Sequence, residues 1–265
     1  MTYSQSALEA ALTSLPLGTP LHYFERIGST NDEARRLAEN GAPEGTLVVA
    51  DEQTAGRGRA GRTWVTPAGS AIAASFILRP ALASSQLGVL SLVGGLAAAI
   101  AIENVCALRS QLKWPNDVWL RDRKVCGVLA EASHAGDARV DWVVLGIGIN
   151  VSGAPPGGAN LRYPATTVEA ASGRAVDRTA LLVALAEALA DYYITLDAAR
   201  VVHAWSKHML WRGQTVRVDT GRQPFTGVVR GVSADGGLVL TLDGGETHTI
   251  AAGEISLLRK TSEVH

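Results

Sequence analysis

The sequence has few cysteines, no cluster of histidines and almost no net charge. Its 265 residues include two cysteines, Cys106 and Cys126, which form no C-x-x-C pair, and no apolar secretion segment follows Met1. This pattern favours free thiols in a reducing, cytoplasmic compartment. The six histidines have no metal-ligand spacing, so no metal held by protein side chains is expected. The net charge is −1, from 24 basic and 25 acidic residues, which gives no overall field to attract DNA or an anionic membrane.

Long runs without charged residues are rare as well. Residues 81–102 form such a run, and it is long enough to span a membrane. Serine, glutamine and glycine residues dilute its hydrophobicity, and no flanking basic or aromatic belt marks an orientation. We therefore expect a helix that is buried against a sheet, and no membrane partner.

Residues 56–64 concentrate the basic character that the chain as a whole lacks. The segment reads Gly56-Arg57-Gly58-Arg59-Ala60-Gly61-Arg62-Thr63-Trp64. Glycine lets the backbone approach a ligand closely, and each guanidinium offers a fork of donors that matches carboxylate and phosphate oxygens. We predict an anion-binding loop that is mobile and becomes ordered on its ligand.

Two enzyme classes with glycine-rich loops do not fit this segment. Its glycines satisfy G-x-G-x-x-G, but a dinucleotide fingerprint requires a helix directly afterwards, and here Pro67 and Gly69 indicate a loop instead. No H-R-D or D-F-G element follows, which argues against a kinase. Composition alone does not exclude a third interpretation, in which the segment is a solvated basic loop without function.

The order of predicted elements indicates an α+β fold. Strands are expected at 21–26, 47–50 and 71–78, followed by an antiparallel group at 111–114, 118–120, 124–132 and 140–151. Helices are expected at 32–40, with a capping box between Thr30 and Glu33, at 179–199, and at 201–209. Strands in a block with helices elsewhere favour α+β over a doubly wound α/β fold.

From Gly213 the sequence changes to short strands separated by tight turns such as Asp235-Gly236-Gly237 and Asp243-Gly244-Gly245. This pattern predicts a small SH3-like β-barrel. The predicted division is an N-terminal domain at 1–210 and a barrel at 211–265.

Short polar motifs stand in a fixed order along the chain. They are Gly28-Ser29-Thr30-Asn31, Asp51-Glu52-Gln53-Thr54 with the loop at 56–64, Lys113-Trp114-Pro115-Asn116-Asp117, Lys124-Val125-Cys126-Gly127-Val128-Leu129-Ala130-Glu131 and Gly146-Ile147-Gly148-Ile149-Asn150. Together they resemble the biotin protein ligases over nearly the whole chain. The resemblance implies a catalytic domain related to class II synthetases, with a mixed or antiparallel sheet, followed by an SH3-like barrel. It also implies the monofunctional form, since the chain has no room for the winged helix of the bifunctional members.

The resemblance assigns roles to individual residues. Its biotin-binding set is Ser29, Thr30, Asn31, Gln53, Arg57, Gly58, Arg59 and Lys124. Its nucleotide-binding set is Arg59, Arg62, Trp64, Asn116, Lys124 and Asn150. Arg259 in the terminal strand could approach the nucleotide or be an ordinary surface arginine. Its catalytic set is Lys124, Arg57, Arg59 and Asp117, in which Asp117 orients the attacking amine or accepts its proton.

Several of these residues have a structural interpretation beside the functional one. Ser29-Thr30-Asn31 could be a helix N-cap, Gln53 an exposed loop residue and Lys124 a solvated turn lysine. Asn116 and Asp117 could serve their own turn through Asx hydrogen bonds. Glycines 146 and 148 are expected to let the backbone approach a ligand. Tryptophans 114 and 119 are expected in the core.

The resemblance implies ATP-dependent activation of biotin as biotinyl-5′-AMP, with release of pyrophosphate. Biotin then passes to a lysine of a biotin carboxyl carrier domain of acyl-CoA carboxylases, and AMP leaves. ATP with Mg²⁺ is the expected co-substrate. Alternatives are a lipoyl or octanoyl transfer protein of the same superfold and a non-enzymatic sensor of biotin or its adenylate. DNA binding is not expected, and the oligomeric state, monomer or weak ligand-dependent dimer, stays open.

Overall fold

A seven-stranded mixed sheet forms the centre of the N-terminal part of the chain. The computed structural model describes residues 3–135, 139–153 and 163–258. The sheet order is β1-β2-β3-β7-β6-β5-β4, with β1 and β2 parallel and all other neighbours antiparallel. Its strands are β1 (Leu21–Ile27), β2 (Leu47–Gln53), β3 (Ala71–Leu78), β4 (Gln111–Lys113), β5 (Asp117–Leu120), β6 (Arg123–Ala135) and β7 (Arg139–Asn150). The predicted α+β class with an antiparallel strand group is confirmed.

Helices cover both faces of this sheet. They are α1 (Gln5–Leu12), α2 (Thr30–Glu39), α3 (Gly88–Cys106), α4 (Val168–Ser172), α5 (Arg178–Tyr193) and α6 (Ala198–His208). Helix α3 is apolar and long enough to span a membrane, but 72% of its most apolar window is buried inside the protein. It packs against α5, α6, β6 and β7. It is therefore a core helix, as the sequence predicted.

Two predicted helix features are wrong. Helix α2 begins two residues earlier than expected, with Ser29 at the N-cap, and Glu33 pairs with Arg36 instead of forming a capping box with Thr30. The expected helix at 179–199 ends at Tyr193, because the Asp197 side chain accepts hydrogen bonds from two backbone amides and so starts α6. Local capping by an aspartate decides this boundary.

The C-terminal part is a five-stranded antiparallel sheet in the order β11-β10-β9-β8-β12. Its strands are β8 (Thr215–Asp219), β9 (Pro224–Val232), β10 (Leu238–Leu242), β11 (Thr247–Ile250) and β12 (Glu254–Leu257). This is the small β domain that the turn pattern predicted. It packs on the N-terminal part, where Trp114 Nε1 donates to the Gly236 carbonyl at 2.9 Å. The division at residue 211 remains a prediction.

Candidate active site

One cavity gathers the residues that the sequence motifs singled out. It lies on the face of the sheet that carries α2, and the barrel contributes Glu254 to its wall. The residues to which the resemblance assigns biotin, nucleotide or catalytic roles line it: Ser29, Thr30, Asn31, Gln53, Arg57, Gly58, Arg59, Arg62, Trp64, Asn116, Asp117, Lys124 and Asn150. Arg259 lies outside the described residues. The motifs therefore converge in space, although they are spread over more than a hundred residues of sequence.

The start of α2 and the end of β2 form one hydrogen-bonded end of the cavity. The Gln53 Oε1 accepts from the Thr30 backbone amide at 2.8 Å and from its hydroxyl at 3.0 Å. Ser75 on β3 donates to Asn31 Oδ1 at 2.6 Å and lies 2.8 Å from the Thr30 hydroxyl. Ser29 occupies the N-cap position, but its side chain makes no capping hydrogen bond. Gln53, rather than Ser29, thus satisfies a first-turn amide of α2, and the linked polar side chains form part of the cavity wall.

The loop at 56–64 is a narrow hairpin, which we call the Gly/Arg hairpin. Its two arms are joined by backbone hydrogen bonds from Trp64 N to Gly56 O at 2.8 Å and from Gly58 N to Arg62 O at 2.7 Å. A short 3-10 turn closes it, with Ala60 in the left-handed region at φ 54°. The backbone has a defined conformation, and its ordering on a ligand stays a prediction.

The three arginines of the hairpin have different partners. Arg57 forms two hydrogen bonds to Glu131, at 2.8 and 2.9 Å, and one to Asp32 at 2.7 Å. Arg62 pairs with Glu254 of the barrel at 2.6 Å. Arg59 has no ion pair with a described carboxylate, and its Nη1 lies 3.4 Å from Asn116 Oδ1. Arg59 is therefore the hairpin cation with the most freedom to meet an anion in the cavity.

Burial and charge act differently on the ionisation of these groups. Desolvation lowers the pKa of Arg59, whereas the hydrogen bond to Glu131 raises the pKa of Arg57. Burial alone would raise the pKa of Glu131, but hydrogen bonds from Arg57 and Asn31 outweigh it and lower that pKa. The pair of Glu131 and Arg57 is fully ionised at neutral pH. Its contribution to stability is present above the ordinary glutamate pKa and is lost as the pH falls through the lowered value.

A second charge cluster lies where β5 and β6 meet. Lys124 Nζ is 2.6 Å from Asp117 Oδ1, and Lys113 Nζ is 4.0 Å from Asp117 Oδ2. Lys113 is buried with its ammonium 4.5 Å from the centre of the Tyr163 ring. Lys124 is therefore a paired, oriented cation rather than a solvated turn lysine.

Asn116 and Asp117 do not make the Asx hydrogen bonds of the structural interpretation. The Asn116 amide donates to the Val128 carbonyl on β6 at 2.7 Å, and Asp117 pairs with Lys124. Both side chains hold β6 and the cavity wall rather than their own turn. Tryptophans 114 and 119 are buried in the core, as expected.

Glycines 146 and 148 on β7 line the cavity, and close approach of a ligand to their backbone stays a prediction. A Cβ on Gly146 would clash with the Asn31 amide, and one on Gly148 would lie 2.5 Å from the Trp64 indole. The glycines admit protein side chains that themselves line the cavity. Asn150, at the end of the same motif, lines the cavity and donates to the Thr166 carbonyl at 3.2 Å.

The close contact at Gly148 predicts a stability effect. Gly148→Ala should lower the free energy of unfolding by ~1–3 kcal/mol, because the added methyl group overlaps the Trp64 ring. Gly231→Ala is a matched control, since a Cβ there meets nothing within 4 Å. Denaturant unfolding of both variants measures the difference. Equal stability of the two would show that Trp64 yields without cost.

Sequence reasoning gave no role to Glu131 or Lys113, although both stand in motifs that it quoted. The partners of Glu131 lie far away along the chain, since it is 74 residues from Arg57 and 100 residues from Asn31. The available signal was the position of Glu131 at the end of the motif that begins with Lys124.

Comparisons with known proteins agree with this geometry. Residues 23–150 match the model of the biotin/lipoate A/B protein ligase family, and residues 213–258 match the biotin protein ligase C-terminal domain. The biotin–[acetyl-CoA-carboxylase] ligase of Paracoccus denitrificans is 40% identical over 87% of this chain and 97% of that protein.

Two solved structures are similar as well. The Aquifex aeolicus biotin protein ligase in complex with biotin and ATP has a TM-score of 0.76 and 31% identity, and the match covers 91% of this chain and all of that one. The Leishmania major enzyme in complex with biotinyl-5-AMP has a TM-score of 0.63 and 26% identity, over 89% of this chain and 99% of that one. With its sequence motifs, its fold and both domain matches in agreement, the chain belongs to the biotin protein ligases.

Proposed function

We propose that this ligase joins biotin to ATP, releasing pyrophosphate, and then transfers biotin from biotinyl-5′-AMP to a lysine of a biotin carboxyl carrier domain. One observation carries the proposal: the residues assigned to biotin and those assigned to the nucleotide line a single cavity. The complexes of the Aquifex and Leishmania relatives with biotin and ATP or with biotinyl-5-AMP support the same pair of ligands. The carrier domain follows from the ligase family.

The hydrogen-bonded end of the cavity is proposed to hold the biotin ring system. Ser29, Thr30, Asn31 and Gln53 offer both donors and acceptors there, as the polar ureido group requires. The neighbouring charged wall, with Arg57, Gly58, Arg59 and Lys124, would then face the biotin carboxylate. Arg62, Trp64, Asn116 and Asn150 complete the proposed nucleotide part.

The first step requires charge neutralisation rather than a base, because the biotin carboxylate is already ionised at neutral pH. Its oxygen attacks the α-phosphorus of ATP, and pyrophosphate leaves. Lys124 and Arg59 would reduce the repulsion between the two anions and stabilise the charge that builds on the non-bridging phosphate oxygens. The Gly/Arg hairpin, placed over the mixed anhydride, would limit its hydrolysis by water.

Mg²⁺ is proposed to arrive with ATP as part of the co-substrate. Among the described residues, no group of three or more His, Cys, Asp or Glu side chains could hold a metal. The cavity carboxylates of Asp117 and Glu254 pair with Lys124 and Arg62. Magnesium in nucleotide sites is held largely by phosphate oxygens and water, which fits a cavity of this kind. When bound, the ion would neutralise part of the triphosphate charge.

The second step needs the carrier lysine as a neutral amine near the anhydride carbonyl. Asp117 is proposed to orient that amine or to accept its proton. Asp117→Asn should therefore slow transfer from preformed adenylate by at least ~10-fold, in the range typical of positioned acid-base groups. Asp122→Asn, in the exposed turn between β5 and β6, is the matched control. Unchanged transfer in Asp117→Asn would remove this role and leave Asp117 as the partner of Lys124.

A pyrophosphate assay tests the function directly. Biotin and ATP should together produce pyrophosphate without a carrier, and an added carrier domain should become labelled while AMP accumulates. Lipoate or octanoate in place of biotin tests the transferase alternative. Binding of biotin without pyrophosphate release would favour the sensor alternative.

A cytoplasmic location is inferred from the free, buried Cys106 and Cys126 and from the intracellular substrates of the reaction. That the chain binds no DNA stays a prediction from its charge, as does its oligomeric state.

A further inference from the structure

Glu131 is the point where two polar networks of the cavity meet. Its Oε2 accepts hydrogen bonds from Asn31 Nδ2 and from Arg57 Nη2, both at 2.8 Å. Its Oε1 accepts from Arg57 Nη1 at 2.9 Å. A single carboxylate on β6 thus joins the start of α2 to the Gly/Arg hairpin.

The first network fixes the proposed biotin end of the cavity. A carboxylate only accepts hydrogen bonds, so Glu131 turns the NH₂ group of the Asn31 amide toward β6 and its oxygen toward Ser75. Ser75 in turn lies 2.8 Å from the Thr30 hydroxyl, which donates to Gln53. The orientation of Asn31 therefore passes through Ser75 to the other residues of this end.

The second network holds the hairpin. Arg57 and Glu131 form a bidentate, charge-assisted pair, which is stronger and more directional than a single neutral hydrogen bond. Asp32 also contacts Arg57, but its side chain is 52% exposed, against 24% for Glu131. Exposed ion pairs contribute little. Glu131 also lies within a strand that is hydrogen-bonded to β7, where it is opposite Val144. It is therefore the more rigid of the two anchors.

We infer that Glu131 is a positioning residue of the ligase, which holds Arg57 and Asn31 in one arrangement and so keeps the Gly/Arg hairpin closed beside the biotin end of the cavity. This inference has two halves. The hairpin half, that Glu131 holds Arg57 and with it the hairpin, rests on contacts alone. The biotin half, that Glu131 orients Asn31 at the biotin end, rests on the proposed function. The two halves have separate tests.

Trypsin tests the hairpin half without any ligand, since the hairpin carries three arginines. Glu131→Gln has the same size, but its amide presents N–H groups where Arg57 and Asn31 also donate. Cleavage after Arg59 and Arg62 is expected to rise about tenfold, as for loss of a charge-assisted pair. Glu33→Gln is the matched control, because Glu33 forms a comparable two-bond pair with Arg36 outside the cavity.

A double-mutant cycle shows whether Glu131 acts through Arg57. In an Arg57→Ala background, Glu131→Gln should change cleavage after Arg59 and Arg62 less than about twofold, because the pair is already broken. An undiminished tenfold increase in that background would overturn the inferred link. Should Glu131→Gln fail to fold, Glu131→Asp, which keeps the charge but withdraws it by one methylene, should show the same pattern with a smaller amplitude.

Calorimetry with biotin tests the other half. Glu131→Gln should raise the Kd for biotin about tenfold, and adenylate formation at saturating biotin should fall at least about tenfold, because Arg57 is no longer held in position. Glu131→Asp should recover part of the affinity. Unchanged cleavage and unchanged biotin affinity in Glu131→Gln would overturn the inference. A wild-type chain that binds no biotin would contradict the proposed function and the biotin half, while trypsin cleavage would still decide the hairpin half.

Discussion

Replacing Lys124 with alanine is expected to lower biotin-dependent pyrophosphate release by at least ~10²-fold, the effect of removing a preorganised electrostatic contact. Lys124 lines the cavity and lies 2.6 Å from Asp117. Without its ammonium group, the incoming carboxylate and triphosphate would meet the negative charge of Asp117, offset only by the buried Lys113 at 4.0 Å. Single-turnover measurements with biotin and MgATP isolate this step from carrier transfer.

Two further variants make the Lys124 result specific. Lys207→Ala removes an exposed lysine of α6 and should release pyrophosphate at the wild-type rate. Lys124→Arg keeps the charge but replaces a compact ammonium with a planar fork, so it should recover only part of the activity. Pyrophosphate release at the wild-type rate by a folded Lys124→Ala protein would refute the assignment.

Much of the fold was accessible from local patterns. The strands with period-two or continuous apolar sequence and the Asp-Gly turns of the barrel follow rules that depend on neighbouring residues, and the structure confirms them. The apolar helix at 88–106 was predictable too. Its one serine and three glycines make it less hydrophobic than a membrane span, whereas a helix inside a protein core accommodates them.

The contacts that organise the cavity were not accessible in the same way. Residue type predicted that Arg57 would carry charge, but its partner Glu131 is 74 residues away and reaches it through the register of β6. The glycine at position 148 predicted that another group approaches the backbone closely there. The packed structure reveals that this group is the indole of Trp64. Motif resemblance indicated which residues belong together, whereas the partners of each side chain depend on tertiary packing.

This difference matters most for the hairpin arginines, which are alike in sequence and unlike in the structure. Arg57 already pairs with two carboxylates, whereas Arg59 is half-buried and makes a single long hydrogen bond, to Asn116. Burying a cation without an anion is costly. Binding of an anionic substrate would relieve that cost at Arg59, while Arg57 contributes through the position that Glu131 gives it.

Arg57→Ala and Arg59→Ala are each expected to lower adenylate formation by at least ~10²-fold, for different reasons. Loss of Arg59 removes a cation that faces the reacting anions, so Arg59→Lys should recover part of the rate. Loss of Arg57 frees the hairpin, and Arg57→Lys should recover little, because lysine cannot form the bidentate pair with Glu131.

Single-turnover pyrophosphate release and trypsin cleavage, measured on the same preparations, separate the two effects. Arg57→Ala should increase cleavage after Arg62, whereas Arg59→Ala should leave it near the wild-type rate. Arg26→Ala, which breaks an ion pair on β1 whose arginine side chain is 68% exposed, is the control for loss of an arginine elsewhere. Normal pyrophosphate release by Arg57→Ala would contradict the role assigned to Arg57. Equal rescue by lysine at positions 57 and 59 would show that the hairpin supplies charge alone, without a need for the pairing to Glu131.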